Sequence, residues 1–386
     1  MRTVIRNSRI VTYDRVLDGC ELSILDGKVE EISEHIGNAD SVIDADGGWL
    51  VPGFIDLHCH GGGGYEFMDA SVDEIDKIAK FHLSSGTTTL YATTLASDDA
   101  ELRCALENIG NYLEKTPHGV IIGAHLEGPW LNREQCGAQN PEYIRSYKDG
   151  ELSALAAKFP FIKRISAAPE ITGGCKIAEE ARGLGIVCAI AHTNADFRDI
   201  ERAASHGYTL VTHLYSGMQG VRREQSYRIA GAVEGALYFD ELFVELIADG
   251  CHLPAELLRF VYKIKGADKI CLVTDAIRAA GMPDGSKTKI GSLKTGLDVV
   301  VEGGVAKLPS RDSFAGSTAT YDRLYRTMSG AIGADMVALS RMASSTPADV
   351  MHLYDRGRIE QGLSADLVIM DRDLNINKVI LNGEQI

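Results

Sequence analysis

Pro52-Gly53-Phe54-Ile55-Asp56-Leu57-His58-Cys59-His60 is an apolar run that ends in two histidines one residue apart. Side chains alternate along a strand, so both imidazoles face the same side. Placed at the carboxyl end of the first strand of a barrel, that side is the barrel mouth, where barrel enzymes put their active sites. Imidazole pairs suit zinc or ferrous iron, whereas two histidines at an ordinary strand edge need no metal at all.

Working outward, the same pattern recurs. Short apolar runs alternate with helix-like stretches, the mark of repeated β/α units around a parallel sheet. Candidate strands are Gly53 to Leu57, Thr88 to Ala92, Ile121 to Leu126, Ile165 to Ala168, Val187 to Ala191, Leu210 to Thr212, Phe243 to Ile247 and Lys269 to Thr274. The helices between and after them include Val72 to Ser84, Asp99 to Leu113, Lys176 to Leu184, Arg198 to Ser205, Ala255 to Lys265 and Thr320 to Met328. Several strand ends carry chemistry: Glu127 after Ala124-His125-Leu126, His192 after Ala189-Ile190-Ala191, His213 after Val211-Thr212, and Asp275 after Leu272-Val273-Thr274. Chance core histidines would not select that position repeatedly, so His58, His60, Glu127, His192, His213 and Asp275 converge on one metal-binding mouth if the barrel closes. Capping is the ordinary use of an aspartate that follows a strand, and Asp275 is open to that reading too.

The ends differ from the middle. Thr3 to Val11, Glu21 to Leu25 and Lys28 to Ile32 read as strands around an Asp26-Gly27 turn. Asp366 to Asp371 and Asn377 to Leu381, with an Asn382-Gly383 turn, repeat that texture. The expected division is a small β-sandwich from residues 1–50 plus 356–386 and a (β/α)8 TIM-type barrel over 51–355.

Composition narrows the partners. In 386 residues, 45% apolar and 24% charged, no stretch approaches the roughly 20 apolar residues that cross a bilayer. The start lacks an apolar signal core, so the expected location is cytoplasmic. A net charge of -15 disfavours nucleic acid and membrane surfaces as partners, and a phosphorylated substrate would need a local cationic pocket. Eight scattered cysteines read as reduced thiols.

PGFIDLHCHG at 52–61, HLEGPW at 125–130, GAQNPE at 137–142, AHTNA at 191–195, THLYSGM at 212–218, IADGCHLP at 247–254, LVTDAIRAAG at 272–281 and FAGST at 314–318 resemble, in order and spacing, the N-acetylglucosamine-6-phosphate deacetylases of the amidohydrolase superfamily. The resemblance covers essentially the whole chain. It implies a divalent-metal hydrolase, with zinc, iron, manganese or cobalt as one ion or two, that removes acetate from N-acetylglucosamine 6-phosphate in amino-sugar metabolism. Glu127, His192 and His213 would hold the principal metal and His58 and His60 a second one. Asp275 would act as acid and base, and His252 would bind the carbonyl oxygen.

The resemblance also implies substrate contacts from Ala138, from Ser216 and Gly217, from Asp249 to His252, and from Phe314, Ala315, Gly316 and Ser317. An arginine of the cluster Arg222, Arg223 and Arg228, with Arg223 first and Arg228 as a second candidate, would reach the phosphate across a homodimer interface. As a run in a solvated surface segment the same arginines would have no ligand. His125 matches a motif, yet supporting a loop by hydrogen bonding explains it equally. Two places depart from the family: the usual Asn-Ala is Ser216-Gly217, and the usual Arg-Glu-Pro-Gly is Arg223-Glu224-Gln225-Ser226. Both lie beside the sugar and phosphate, which leaves N-acetylgalactosamine 6-phosphate or another amide as alternative substrates. The lysine that marks many other amidohydrolases is absent from the Glu127 motif. A sugar-phosphate-binding regulator without activity would have lost ligands, and here every such position is filled.

Overall fold

The structure, a computed structural model, describes residues 1–333 and 335–386. Eight parallel strands follow one another round a single sheet: β1 (Phe54–Cys59), β2 (Thr87–Thr94), β3 (Ile121–Glu127), β4 (Ile162–Ala167), β5 (Val187–Ile190), β6 (Tyr208–Val211), β7 (Phe243–Leu246) and β8 (Ile270–Leu272). The seam between β8 and β1 is closed just beyond the strands. Asp275 N donates to His58 O at 2.9 Å, His60 N donates to Ala276 O at 2.8 Å, and the Tyr321 hydroxyl donates to Leu272 O at 2.8 Å. The barrel read from the sequence is therefore present, with each expected strand recovered to within a few residues.

The helices form because their apolar residues repeat at helical spacing. In Val72–Leu83 the buried positions are 75, 78, 79, 82 and 83, one stripe that packs on the barrel. Ser71 and Glu74 close its first turn as a capping box, satisfying amide donors that have no partner within the helix. Several elements escaped the sequence reading, among them the helices Glu151–Lys158 and Ala232–Tyr238, the strands Ser41–Asp44 and Trp49–Pro52, and two features that follow barrel strands. A sheet of Lys287–Ile290, Leu297–Val301 and Ala306–Lys307 follows β8, and a hairpin of Arg222–Glu224 and Tyr227–Ile229 follows β6.

The ends of the chain meet. Lys28–Ser33, Glu21–Leu25, Arg2–Arg6 and Ser41–Asp44 make one sheet, while Trp49–Pro52 pairs with both Arg9–Val11 and the C-terminal Leu367–Met370 in another. Ile5, Ile10, Leu22, Ile24, Leu50, Leu367, Ile369 and Ile380 fill the space between them. The single strand expected from Thr3 to Val11 is two: Asn7 takes a left-handed φ of 54°, and the halves join different sheets. Gly53 then carries the chain from the terminal sheet into β1. A Cβ there would stand 2.1 Å from Thr88 Oγ1, so only glycine permits this close passage.

Candidate active site

β1 carries one residue more than β2 between two pairings, Asp56 with Leu90 and Cys59 with Ala92. Such a bulge re-aims side chains. Leu57 packs in the barrel interior, and His58 follows it to the mouth instead of turning outward. His192, His213 and Asp275 leave their strands with left-handed φ values of 43°, 29° and 47°. Backbone strain of this kind gathers at functional sites.

Glu127, the last residue of β3, lies at the centre. Its Oε1 is 2.9 Å from His213 Nε2, 3.2 Å from His192 Nε2 and 3.6 Å from His58 Nε2. Its Oε2 is 3.4 Å from His60 Nε2 and accepts from Gln139 Nε2 at 2.6 Å. Asp275 Oδ1 stands 3.2 Å from His60 Nε2 and 3.4 Å from His58 Nε2. The structure thus brings together all six strand-end groups.

This donor set fits a divalent metal. Ligands about 2.0–2.1 Å from a tetrahedral ion stand roughly 3.4 Å apart, close to the separations around Glu127. His58, Glu127 and His213 form one candidate group, and His58, His60 and Asp275 another, each with its ligand atoms within 4.8 Å of one another. His192 Nδ1 donates to Gln135 O at 2.7 Å, which leaves Nε2 free to ligate. The electrostatics call for cations. Burial opposes a charge on His58, yet Glu127 and Asp275 raise its pKa to about 10, and Asp275 with Glu127 raise that of His60 to about 9. Burial likewise opposes ionisation of Glu127, but His58, His192 and His213 hold it well below the usual carboxylate range. A metal ion can take the place of those protons. Asp56, Cys59 and His82 also cluster, but each already has a partner: Thr274 Oγ1 for Asp56, and Gly61 O for Cys59 and His82.

The groups open into a cavity of about 300 Å3 lined by His60, Glu127, His192, His213, His252 and Asp275 among others. Ala138, Ser216, Gly217, Phe314 and Gly316 also line it. His252 Nδ1 donates to Asp249 Oδ2 at 2.9 Å, and the imidazole packs against the Phe314 ring at 4.8 Å. Asp249, Ala315 and Ser317 are buried and do not line the cavity themselves. Arg223 and Arg228 lie on the exposed hairpin and do not line this cavity. His125 hydrogen bonds to Thr93 and Ser166 beneath the site. Sequence reasoning missed Gln139, Leu95, Tyr215, Ile290, Asp312 and Ser313. Gln139 stands beside Ala138 in the motif at 137–142, and the signal that would have found it is an amide one residue on, able to donate to Glu127.

Residues 49–386 match the amidohydrolase family. The chain is 33% identical to an N-acetylglucosamine-6-phosphate deacetylase of Lysinibacillus sphaericus, with 98% of this chain and 96% of the relative covered. It is 31% identical to an N-acetylgalactosamine-6-phosphate deacetylase of Escherichia coli O157:H7, covering 100% of this chain and 99% of the relative. Among solved structures, a mutant of the N-acetyl-D-glucosamine-6-phosphate deacetylase from Mycobacterium smegmatis, in complex with N-acetyl-D-glucosamine-6-phosphate, superposes with a TM-score of 0.91 at 29% identity, covering 100% of this chain and 98% of that one. The deacetylase from Pasteurella multocida superposes with a TM-score of 0.92 at 28% identity, covering 100% of both chains. With the histidines, Glu127 and Asp275 gathered at one barrel mouth, the chain belongs to the amidohydrolase family and, within it, to the N-acetylglucosamine-6-phosphate deacetylases.

Proposed function

We propose that this chain hydrolyses the acetamide of N-acetylglucosamine 6-phosphate, releasing acetate and glucosamine 6-phosphate. The observation that carries the reading is one cavity wall holding a ligand set around Glu127 together with Asp275 and a His252 braced by Asp249. Glu127, His192 and His213 hold the principal metal, and His58 and His60 a second. A divalent ion supplies, when bound, a Lewis acid and a water whose pKa falls toward neutrality. Asp275 takes the proton from the attacking water and returns it to the departing amine nitrogen. Asp249 accepts from His252 Nδ1 at 2.9 Å and fixes the plane of the ring, whose other edge stabilises the carbonyl oxygen as charge develops there. Ala138 and Gly217 let backbone approach the sugar closely.

The phosphate needs a cation that the cavity lacks. Glu127, Asp275 and Asp312 line it, and no lysine or arginine does among the described residues. Arg223 stands exposed on a projecting hairpin, suited to reach the phosphate of a second copy, so the working form is a homodimer with Arg228 as the alternative cation. No helix of the described chain is long and apolar enough to cross a membrane. All eight cysteines are free thiols, which fits a cytoplasmic enzyme.

Ser216-Gly217 at the cavity and the galactosamine-type relative favour N-acetylgalactosamine 6-phosphate as the second reading. Acetate release from the gluco, galacto and manno 6-phosphates and the unphosphorylated sugars, with metals measured on the same preparation, tests both. Release from one phosphorylated sugar names the substrate. Silence from a metal-loaded protein overturns the proposal.

A further inference from the structure

Beneath the ligands, inside the barrel, Arg164 of β4 faces Glu245 of β7, and both are wholly buried. The guanidinium pairs with the Glu245 carboxylate, donates to Leu57 O at 2.8 Å and reaches Thr212 Oγ1 at 3.1 Å. Leu57 and Thr212 immediately precede His58 and His213. On its other side Glu245 places Oε2 3.4 Å from His58 Nδ1 and accepts from His213 N at 3.3 Å.

Stability does not account for this pair. Taking two charges out of water costs several kcal/mol per ion, their attraction roughly repays it, and a packed apolar pair of similar volume is as stable or more so. Barrel interiors are ordinarily filled by branched apolar side chains. What apolar residues cannot supply is an acceptor at His58 Nδ1. A carboxylate there keeps the ring proton on Nδ1 and fixes the ring plane, so that Nε2 presents its lone pair. Nε2 of His58 stands 3.1 Å from that of His60, 3.4 Å from Asp275 Oδ1 and 3.6 Å from Glu127 Oε1. His58 is the one residue common to both candidate ligand groups. His60, by contrast, has no hydrogen-bond partner at Nδ1 among the described residues.

We propose that Glu245 is a positioning residue that aims His58 at the second metal, and that Arg164 holds Glu245 in place for that task. The inference rests on the reading of His58 and His60 as ligands of a second ion. It separates two roles in the pair: His58 is set in advance, and His60 adapts to the ion. Outer partners of metal-bound histidines contribute about 10–100-fold to metal affinity, which sets the size of the effect.

The test is cobalt(II) titration of the full-length, metal-stripped protein, followed by visible absorption and stoichiometry. The variants are Glu245→Gln and the double variant Arg164→Met/Glu245→Leu, in which no charge is left unpaired. The parent should bind two cobalt ions. In each folded variant one ion should bind about 10–100-fold more weakly while the other is unmoved. A folded double variant with both affinities at the parent level overturns the proposal, as does a parent that binds only one ion. The unmodified zinc-loaded protein gives a second reading through nitrogen-proton correlation of its histidine rings, with His58 assigned by His58→Asn. A proton on His58 Nδ1 is expected, and a bare Nδ1 refutes the role of Glu245 whether or not the variants fold. Failure here is distinct from failure of the deacetylase reading: an active enzyme with unaltered cobalt binding sinks this inference alone, and an inactive one with the cobalt loss sinks only the substrate assignment.

Discussion

Replacing Asp275 by Asn separates proton transfer from metal binding more cleanly than any other change in the site. Its backbone is in the left-handed region at φ 47°, held by Asp275 N to His58 O at 2.9 Å and by Ser317 N to Asp275 O at 2.8 Å. Asn tolerates that conformation nearly as well as Asp, whereas Ala would add strain of its own. The substitution therefore keeps shape and backbone and removes the group that carries the proton, together with the carboxylate charge beside His58 and His60. General acid-base catalysis contributes about 10²–10⁴-fold, equivalent to about 3–5 kcal/mol of barrier, so kcat should fall by that factor. Glu127, His192 and His213 are untouched, and the principal metal should stay at the parent level. The assay is acetate release at saturating N-acetylglucosamine 6-phosphate, with elemental analysis of the same sample. Turnover within tenfold of the parent refutes the acid-base role. Loss of the principal metal refutes the separation of roles.

Glu127→Ala should strip the principal metal, because one carboxylate faces His192, His213, His58 and His60 at once; full metal retention by elemental analysis would contradict this. Arg223→Ala should raise KM for the phosphorylated sugar about tenfold or more with little change in kcat, and an unmoved KM shifts the role to Arg228 or Arg222. Gly217→Ala should weaken the principal metal as well as sugar binding, since a Cβ there would stand 2.7 Å from His192 Nδ1; equal metal affinity in a titration would count against the coupling. Burial lowers the pKa of His82 from 6.5 to about 4, with a hydrogen bond to Gly61 opposing it. The unfolded chain thus takes up that proton first, and stability falls as pH drops from 6.5 toward 4. His82→Gln should lose less Tm than the parent between pH 7 and 4.5, and equal losses would show that His82 does not set this slope.

What the sequence made legible follows from local physics. Apolar runs of strand length ending in His, Glu or Asp announce both the barrel and its mouth, because a parallel strand buried on both faces has no polar alternation to confuse the reading. The Arg2–Arg6 and Arg9–Val11 break was invisible, since it depends on Asn7 tolerating a left-handed turn that many residues could also have refused. Gln139 and Glu245 were missed for a different reason. Each meets the site through a residue distant in sequence, 12 residues for Gln139 to Glu127 and 187 for His58 to Glu245. No spacing rule encodes such a contact. The bulge in β1 was equally hidden: the rule that His58 and His60 share a face holds, but the alternation that would have carried His58 outward after Leu57 is broken by the extra residue.

The strained strand ends join the candidate ligand groups to the cavity. A left-handed non-glycine residue costs about 1–3 kcal/mol and persists only where its surroundings hold it. Asn132 N donates to His192 O at 2.9 Å, Ser216 N to His213 O at 2.9 Å, and Ser317 N to Asp275 O at 2.8 Å. Each of these donors belongs to a segment that also lines the substrate cavity, through Gly137 and Ala138, through Ser216 and Gly217, and through Phe314 and Gly316. The loops that line the cavity are thus the ones whose amides hold the left-handed His192, His213 and Asp275 in place. Thr193 N closes the same circuit by donating to Gly217 O at 2.9 Å, beside the histidine it follows. At Gly217 a Cβ would stand 2.7 Å from His192 Nδ1, so the absence of a side chain is what lets this loop lie against that histidine.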